Sequence, residues 1–326
     1  MDDDNIPTDD LLLLLAKKYE TGIITNDVYL KIRAMMHEIP VEGYSNKNDY
    51  SGVSYIPETE EELISKILLG ESTELVDNMH ENEYLIIQTK PEQYFKKIGN
   101  TLERVNYTTI KNDYVGEIKP KNPEQVCLFD ALNNKNNSIV YAGGRWGTGK
   151  SYLLNNYALS QLEKGTIQKI VYIPNNSYTA HTIDLGALPG DILDKSMGTI
   201  GPLIDLIGID RVSKMIKEFE TLEIVPMSYI RGRSFTDSII IANEAQNLTV
   251  DHMKLLLARV GEGSRIFIDG DISQTDSQLF KNKNGIQLLL KLSESPVYSK
   301  IFSTVRLLKT ERSLAASAAD YLEEIE

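Results

Sequence analysis

Ile139-Val-Tyr-Ala-Gly-Gly-Arg-Trp-Gly-Thr-Gly-Lys-Ser151 joins a short apolar run, a glycine-rich turn and the start of a helical pattern. The apolar run predicts a buried strand. Leu153, Leu154, Tyr157, Ala158 and Leu162 recur at helical spacing and predict a helix over 150–162. Residues 144–151 satisfy G-x-x-x-x-G-K-[ST] in the strand–loop–helix setting that a phosphate cradle requires. Glycines let successive backbone N–H groups turn toward one set of phosphate oxygens, and the helix start adds its positive dipole end. Gly144, Arg145, Trp146, Gly147, Thr148 and Gly149 are therefore the candidate cradle. Lys150 is the candidate contact to the β- and γ-phosphates, and Ser151 offers a hydroxyl to magnesium. The ligands implied are ATP and Mg2+. A chance match in a chain of this length has a probability on the order of 0.01, so a plain glycine turn with a solvated lysine is set aside.

Downstream, apolar runs alternate with helical patterns: Ser138–Ala142, Lys169–Ile173, Ile224–Tyr229, Ser238–Ala242, Arg265–Ile268 and Ile301–Leu307. This alternation predicts an α/β fold with a mainly parallel sheet. Two of the runs end in polar clusters, as strands carrying a site at their C-terminal edge do. After Ala242 comes Asn243-Glu244-Ala-Gln-Asn247, where Glu244 is the candidate to orient or deprotonate an attacking water. Asn243 occupies the position at which an Asp usually holds magnesium, and is the second metal-side candidate without the charge. After Ile268 comes Asp-Gly270-Asp-Ile-Ser-Gln274, in which Asp271 and Gln274 follow a γ-phosphate-sensing pattern. Alone, either cluster reads as a turn or a helix cap; in this order behind the loop, both read as parts of one site. Arg231, Arg233 and Arg312 are candidate phosphate or nucleic-acid contacts, because guanidinium is planar and permanently charged. Most surface arginines are merely solvated.

The chain has 326 residues and a net charge of −13. Residues 1–118 hold 23 acidic against 11 basic side chains, so the acidity belongs to the N-terminal part and the remainder is nearly even. A nucleic-acid partner is neither required nor excluded. One cysteine, Cys127, and four histidines leave no disulfide framework and no Cys/His zinc cluster. The apolar run Leu11–Ala16 is too short for a membrane span, and Asp2, Asp3 and Asp4 stand where a secretory leader would be basic. No membrane association and a cytoplasmic address are expected. Three regions are expected: an acidic helical region over 1–74, a small β-rich module over 75–118, and the phosphate-binding domain over 119–326. The first contains a helix from Asp9 to Glu20, a second capped by Asn26, a linker over 41–58, and a helix from Glu60 to Leu69 capped by Thr59. Tyr84–Ile87 and Leu102–Ile110 read as strands of the module.

Over about 119–323 the chain resembles the PhoH-like (phosphate-starvation-inducible type) ATPases. The resemblance rests on Ile118-Lys-Pro-Lys-Asn-Pro-Glu-Gln125, the phosphate loop, Leu185-Gly-Ala-Leu-Pro-Gly-Asp191, Tyr229-Ile-Arg-Gly-Arg233, Asn243–Asn247, Gly270–Gln274 and Glu311-Arg-Ser313 in that order. It implies a RecA-like P-loop NTPase core in which Gln125 contacts adenine. It also implies assembly as a homo-oligomeric ring, a hexamer being one form, with Arg312 serving a neighbour's nucleotide. Three departures stand out: Asn243 for Asp, Asn176-Ser177 for an Arg-Pro pair, and no strand-borne aspartates of a PIN nuclease ahead of the core. The expected function is an ATP-hydrolysing, helicase-like motor or remodeller of RNA or single-stranded DNA. The rivals are a slow nucleotide-gated scaffold, whose acidic N-terminal region binds a protein partner, and a phage-type DNA-packaging ATPase.

Overall fold

The computed structural model describes residues 8–19, 21–25, 30, 33–34, 36–37, 39–42, 50–71, 73–174, 200–272, 274 and 284–311. The chain divides into two compact units, Met1–Tyr50 and Ser51–Glu326. In the first, a helix over Thr8–Lys18 accompanies a parallel pair, β1 (Ile23–Ile24) and β2 (Val41–Glu42). Leu13, Ala16, Leu30, Ala34 and Ile39 form its small core. The expected cap Asn26 lies outside the described residues, as do Asn176, Ser177 and the stretch 185–191.

The second unit begins with β3 (Val53–Pro57), inside the stretch expected to be a linker. Val53 and Ile56 are buried, and β3 pairs in parallel with β4 (Tyr84–Gln88). Antiparallel β5 (Gln93–Ile98) and β6 (Thr101–Arg104) complete a four-stranded sheet. The run expected as one strand over 102–110 is split: β6 ends at Arg104, and Ile110 begins a separate hairpin of β7 (Ile110–Asn112) and β8 (Gly116–Ile118). Helices Glu61–Leu68 and Glu74–Asn78 cover one face of the sheet through Ile64, Ile67 and Val76. Glu60, not Thr59, is the N-cap of the first, and it makes no side-chain cap bond.

The main sheet has six parallel strands in the order β11 (Leu222–Ile224), β10 (Lys169–Ile173), β12 (Ser238–Ala242), β13 (Arg265–Gly270), β9 (Ile139–Gly143) and β14 (Phe302–Arg306). All five pairings are parallel, and β12 is buried along its whole length, as an interior parallel strand should be. β11 stops before Pro226, which has no N–H for a ladder, and Met227–Tyr229 is a 3-10 turn instead of the expected strand end. The helix Lys150–Glu163 buries Leu153, Leu154, Tyr157 and Ala158 in one core with Val140, Ala142, Phe267, Ile239, Ile241 and Tyr172.

The four-stranded sheet is joined to that core. Val53, Tyr84 and Ile86 share it with Leu128, Phe129 and Leu132 of the helix Pro123–Asn133. Tyr84 and Lys96 both donate to Asp130 Oδ2, at 2.9 and 2.7 Å, and Tyr55 donates to Glu124 at 2.7 Å. No described helix is long and apolar enough to cross a membrane.

Candidate functional site

The strand order sets the phosphate loop in the middle of a polar edge. β9 ends at Gly143 and the helix begins at Lys150, with β13 on one side and β14 on the other. Gly144, Gly147 and Gly149 have φ of 130°, 73° and 94°, a region L side chains rarely adopt, so the loop's curl depends on them. Gly144 N–H donates to Gly270 O, and Leu307 N–H donates to Gly143 O, which ties the loop to the ends of both flanking strands. Thr148 is fully buried and its hydroxyl donates to Arg145 O, closing the turn internally. Arg145 is exposed and Trp146 half-buried at its outer rim. The Lys150 ammonium lies within the curl, 2.5 Å from Gly144 O and 2.7 Å from Arg145 O.

Gln125 is buried against the loop from behind. Its amide donates to Thr148 O at 3.1 Å and accepts from Lys121 N–H at 3.0 Å. Asn122 caps the same helix by accepting from Gln125 N–H, and its own amide donates to Glu311, whose N–H donates to Gly147 O. Thus the lead-in helix, the loop and the segment after β14 form one hydrogen-bonded frame. Arg312 lies outside the described residues.

On the other side, the ends of β12 and β13 meet the loop. The Ser151 hydroxyl donates to Asp269 Oδ2 at 2.6 Å, and Glu244 N–H donates to Asp269 Oδ1 at 2.9 Å. Asp269 is fully buried, and burial pushes its carboxyl above the usual carboxylate range; the Ser151 bond, the Lys150 charge and the Glu244 amide oppose that shift. Glu244 itself is exposed, with φ of 52°, a conformation that costs a non-glycine residue about 1–3 kcal/mol and tends to persist at functional sites. Its Oε2 accepts from Gln246 Nε2 at 2.5 Å, and Gln246 Oε1 accepts from Asp271 N–H at 3.2 Å. Gln274 N–H then donates to Asp271 O. A continuous chain of contacts therefore runs from Ser151 through Asp269 and Glu244 to Gln246, Asp271 and Gln274.

Asn243 is buried. Its amide donates to the Tyr172 hydroxyl, and its Oδ1 has no hydrogen-bond partner among the described residues. Arg233 pairs with Glu223 of β11 at 2.7 Å and stacks over Phe235, while Lys169 reaches the same carboxylate at 3.2 Å. Burial raises the Glu223 carboxyl, but the bonds from Arg233 and Lys169 outweigh it and hold the group below its ordinary range. Arg231 is exposed. Neither arginine has a described contact to the phosphate loop.

The glycine curl fits phosphate oxygens, and a hydroxyl beside carboxylate oxygens is the hard-oxygen donor set that Mg2+ takes alongside phosphate and water. Two residues of this arrangement were not singled out from the sequence. Asp269 sits inside Ile-Asp-Gly-Asp, which reads as a turn, and Gln246 inside a polar run whose only obvious acid is Glu244.

The family described as PhoH-like protein matches residues 117–313, more than half of the chain. The chain belongs to the PhoH-like family. Protein PhoH2 of Bacillus subtilis (strain 168) is 33% identical over 235 residues, 69% of this PhoH-like chain and 52% of its own length. A PhoH-like protein of the same organism is 38% identical over 146 residues, covering 44% of this chain and 45% of its own. The chain thus spans about half the length of the curated relatives it matches. Among solved structures, the DnaC helicase loader is similar at 11% identity and a TM-score of 0.28, covering 59% of this chain and 93% of that one.

Proposed function

We propose that this PhoH-like chain is a Mg2+-dependent ATPase that remodels RNA or single-stranded DNA as a homo-oligomer. The observation that carries the reading is the meeting of the phosphate-loop hydroxyl, Ser151, with the acidic ends of two neighbouring strands at Asp269 and Glu244. Lys150 exchanges its two loop carbonyls for β- and γ-phosphate oxygens. Ser151 would hold the metal, which when bound would supply positive charge beside the phosphates. Glu244, oriented by the Gln246 amide, draws a proton from or aligns the attacking water. Asp271 and Gln274, at the far end of the same contact chain, respond to the γ-phosphate. Gln125 meets the adenine edge while bracing Thr148. Arg312 stabilises developing charge at a neighbouring subunit's nucleotide, and Arg231 and Arg233 stay candidate phosphate or nucleic-acid contacts.

The neutral side chain at 243 favours a second reading, in which turnover is slow and nucleotide gates a binding surface, with the acidic N-terminal region engaging a protein partner. Steady-state phosphate release with and without single-stranded RNA and DNA separates the two. Stimulation of at least several-fold by either polymer is expected. ATP binding with slow release indifferent to both polymers would overturn the remodelling reading in favour of the gated one.

A further inference from the structure

We propose that Asp269 supplies the metal-side carboxylate that Asn243 does not, one strand nearer the phosphate loop. The inference rests on the nucleotide-binding reading above. Ala242 of β12 is in register with Ile268 of β13, so Asn243 and Asp269 are the next residues at the same height. Cross-strand neighbours in a parallel ladder project to the same face. That is the face on which Phe267, Ile241 and Tyr172 meet the helix that Lys150 begins. β13 lies between β12 and β9, so a carboxylate shifted from 243 to 269 keeps its level and comes closer to the loop. Its contacts suit the task. One oxygen of Asp269 touches the Ser151 hydroxyl at 2.6 Å and the other holds the backbone of Glu244 at 2.9 Å. The Asn243 amide is turned to Tyr172 instead.

Energetics favour the same assignment. Burying a carboxylate costs several kcal/mol unless charge or hydrogen bonds offset it. Bracing Ser151 and Glu244 alone would be served by a neutral Asn. The Lys150 charge offsets part of the cost of this buried acid, and a cation arriving beside Ser151 would give the carboxylate a second partner. Asp269 thereby fixes both the metal's hydroxyl ligand and the backbone that carries the water-activating Glu244.

The test is calorimetric binding of the non-hydrolysable analogue AMP-PNP in Mg2+ and in EDTA. The readout is the gain in affinity that Mg2+ confers. In Asp269→Asn the gain, taken as the ratio of affinities in Mg2+ and in EDTA, is expected to fall about 10-fold or more. Asn243→Ala should keep the gain, and the exchange variant Asn243→Asp/Asp269→Asn should recover part of it. Mn2+ bound in the AMP-PNP complex, counted by electron paramagnetic resonance, should follow the same order. Thermal melts establish that each variant is folded, and Asp269→Ser serves if Asp269→Asn is not. An undiminished Mg2+ gain in a folded variant lacking Asp269, or its loss in Asn243→Ala alone, overturns the assignment and leaves nucleotide binding intact. If the unaltered chain binds AMP-PNP in neither buffer, the nucleotide reading falls and takes the assignment with it.

Discussion

Gly144 has φ of 130°, and a Cβ built on it would stand 2.2 Å from the Leu307 carbonyl oxygen. The obstacle is backbone, held by the Leu307 N–H bond to Gly143, so it cannot swing aside. Gly144→Ala is therefore expected to cost more than about 2 kcal/mol, lowering the denaturation midpoint and weakening ATP analogues together. An unshifted urea midpoint would mean that the loop does not depend on this close approach. The glycines were legible in the sequence because their spacing ahead of Lys-Ser is rare outside phosphate-binding turns. Asp269 was not, because its role depends on which strand lies beside β9, and chain order alone does not give strand order. The same limit applies to Gln125. Its position in the lead-in was evident, but the hydrogen bonds its amide makes with Thr148 and Lys121 required the fold.

Among the elements, the strands of the main sheet were legible because buried parallel strands are continuous apolar runs, as in Ser238–Ala242. The misread ones fail for local reasons: Pro226 ends β11 early, and β3 lies in a stretch whose Gly, Ser and Asn content reads as linker. β3 and its sheet are bound to the helix Pro123–Asn133 by the buried pair Lys96–Asp130 and by Tyr55 on Glu124. Cutting ahead of Glu117 would strip those partners from Asp130 and Glu124 and expose Leu128 and Phe129. Removing one partner of a buried ion pair alone costs about 3–5 kcal/mol. A chain of residues 51–326 is therefore expected to melt cooperatively and keep nucleotide affinity. A chain of 117–326 should aggregate or lack a cooperative transition. Circular dichroism melts with size-exclusion profiles decide this; a monodisperse, cooperatively folding 117–326 would show that the four-stranded sheet is dispensable.

At the scale of the whole molecule, charge and chemistry are separated along the sequence. Residues 1–118 carry nearly all the excess acidity, whereas the phosphate-facing groups lie in the nearly neutral remainder. The central claim is that Lys150, Ser151 and the acidic ends of β12 and β13 form one Mg·ATP site. Calorimetric titration of the full chain and of Lys150→Ala with AMP-PNP and Mg2+ tests it most directly. Loss of a charge-assisted phosphate contact should weaken binding by about 10-fold or more, with the nucleotide-free variant still melting cooperatively. Equal affinity in the two folded chains would contradict the account.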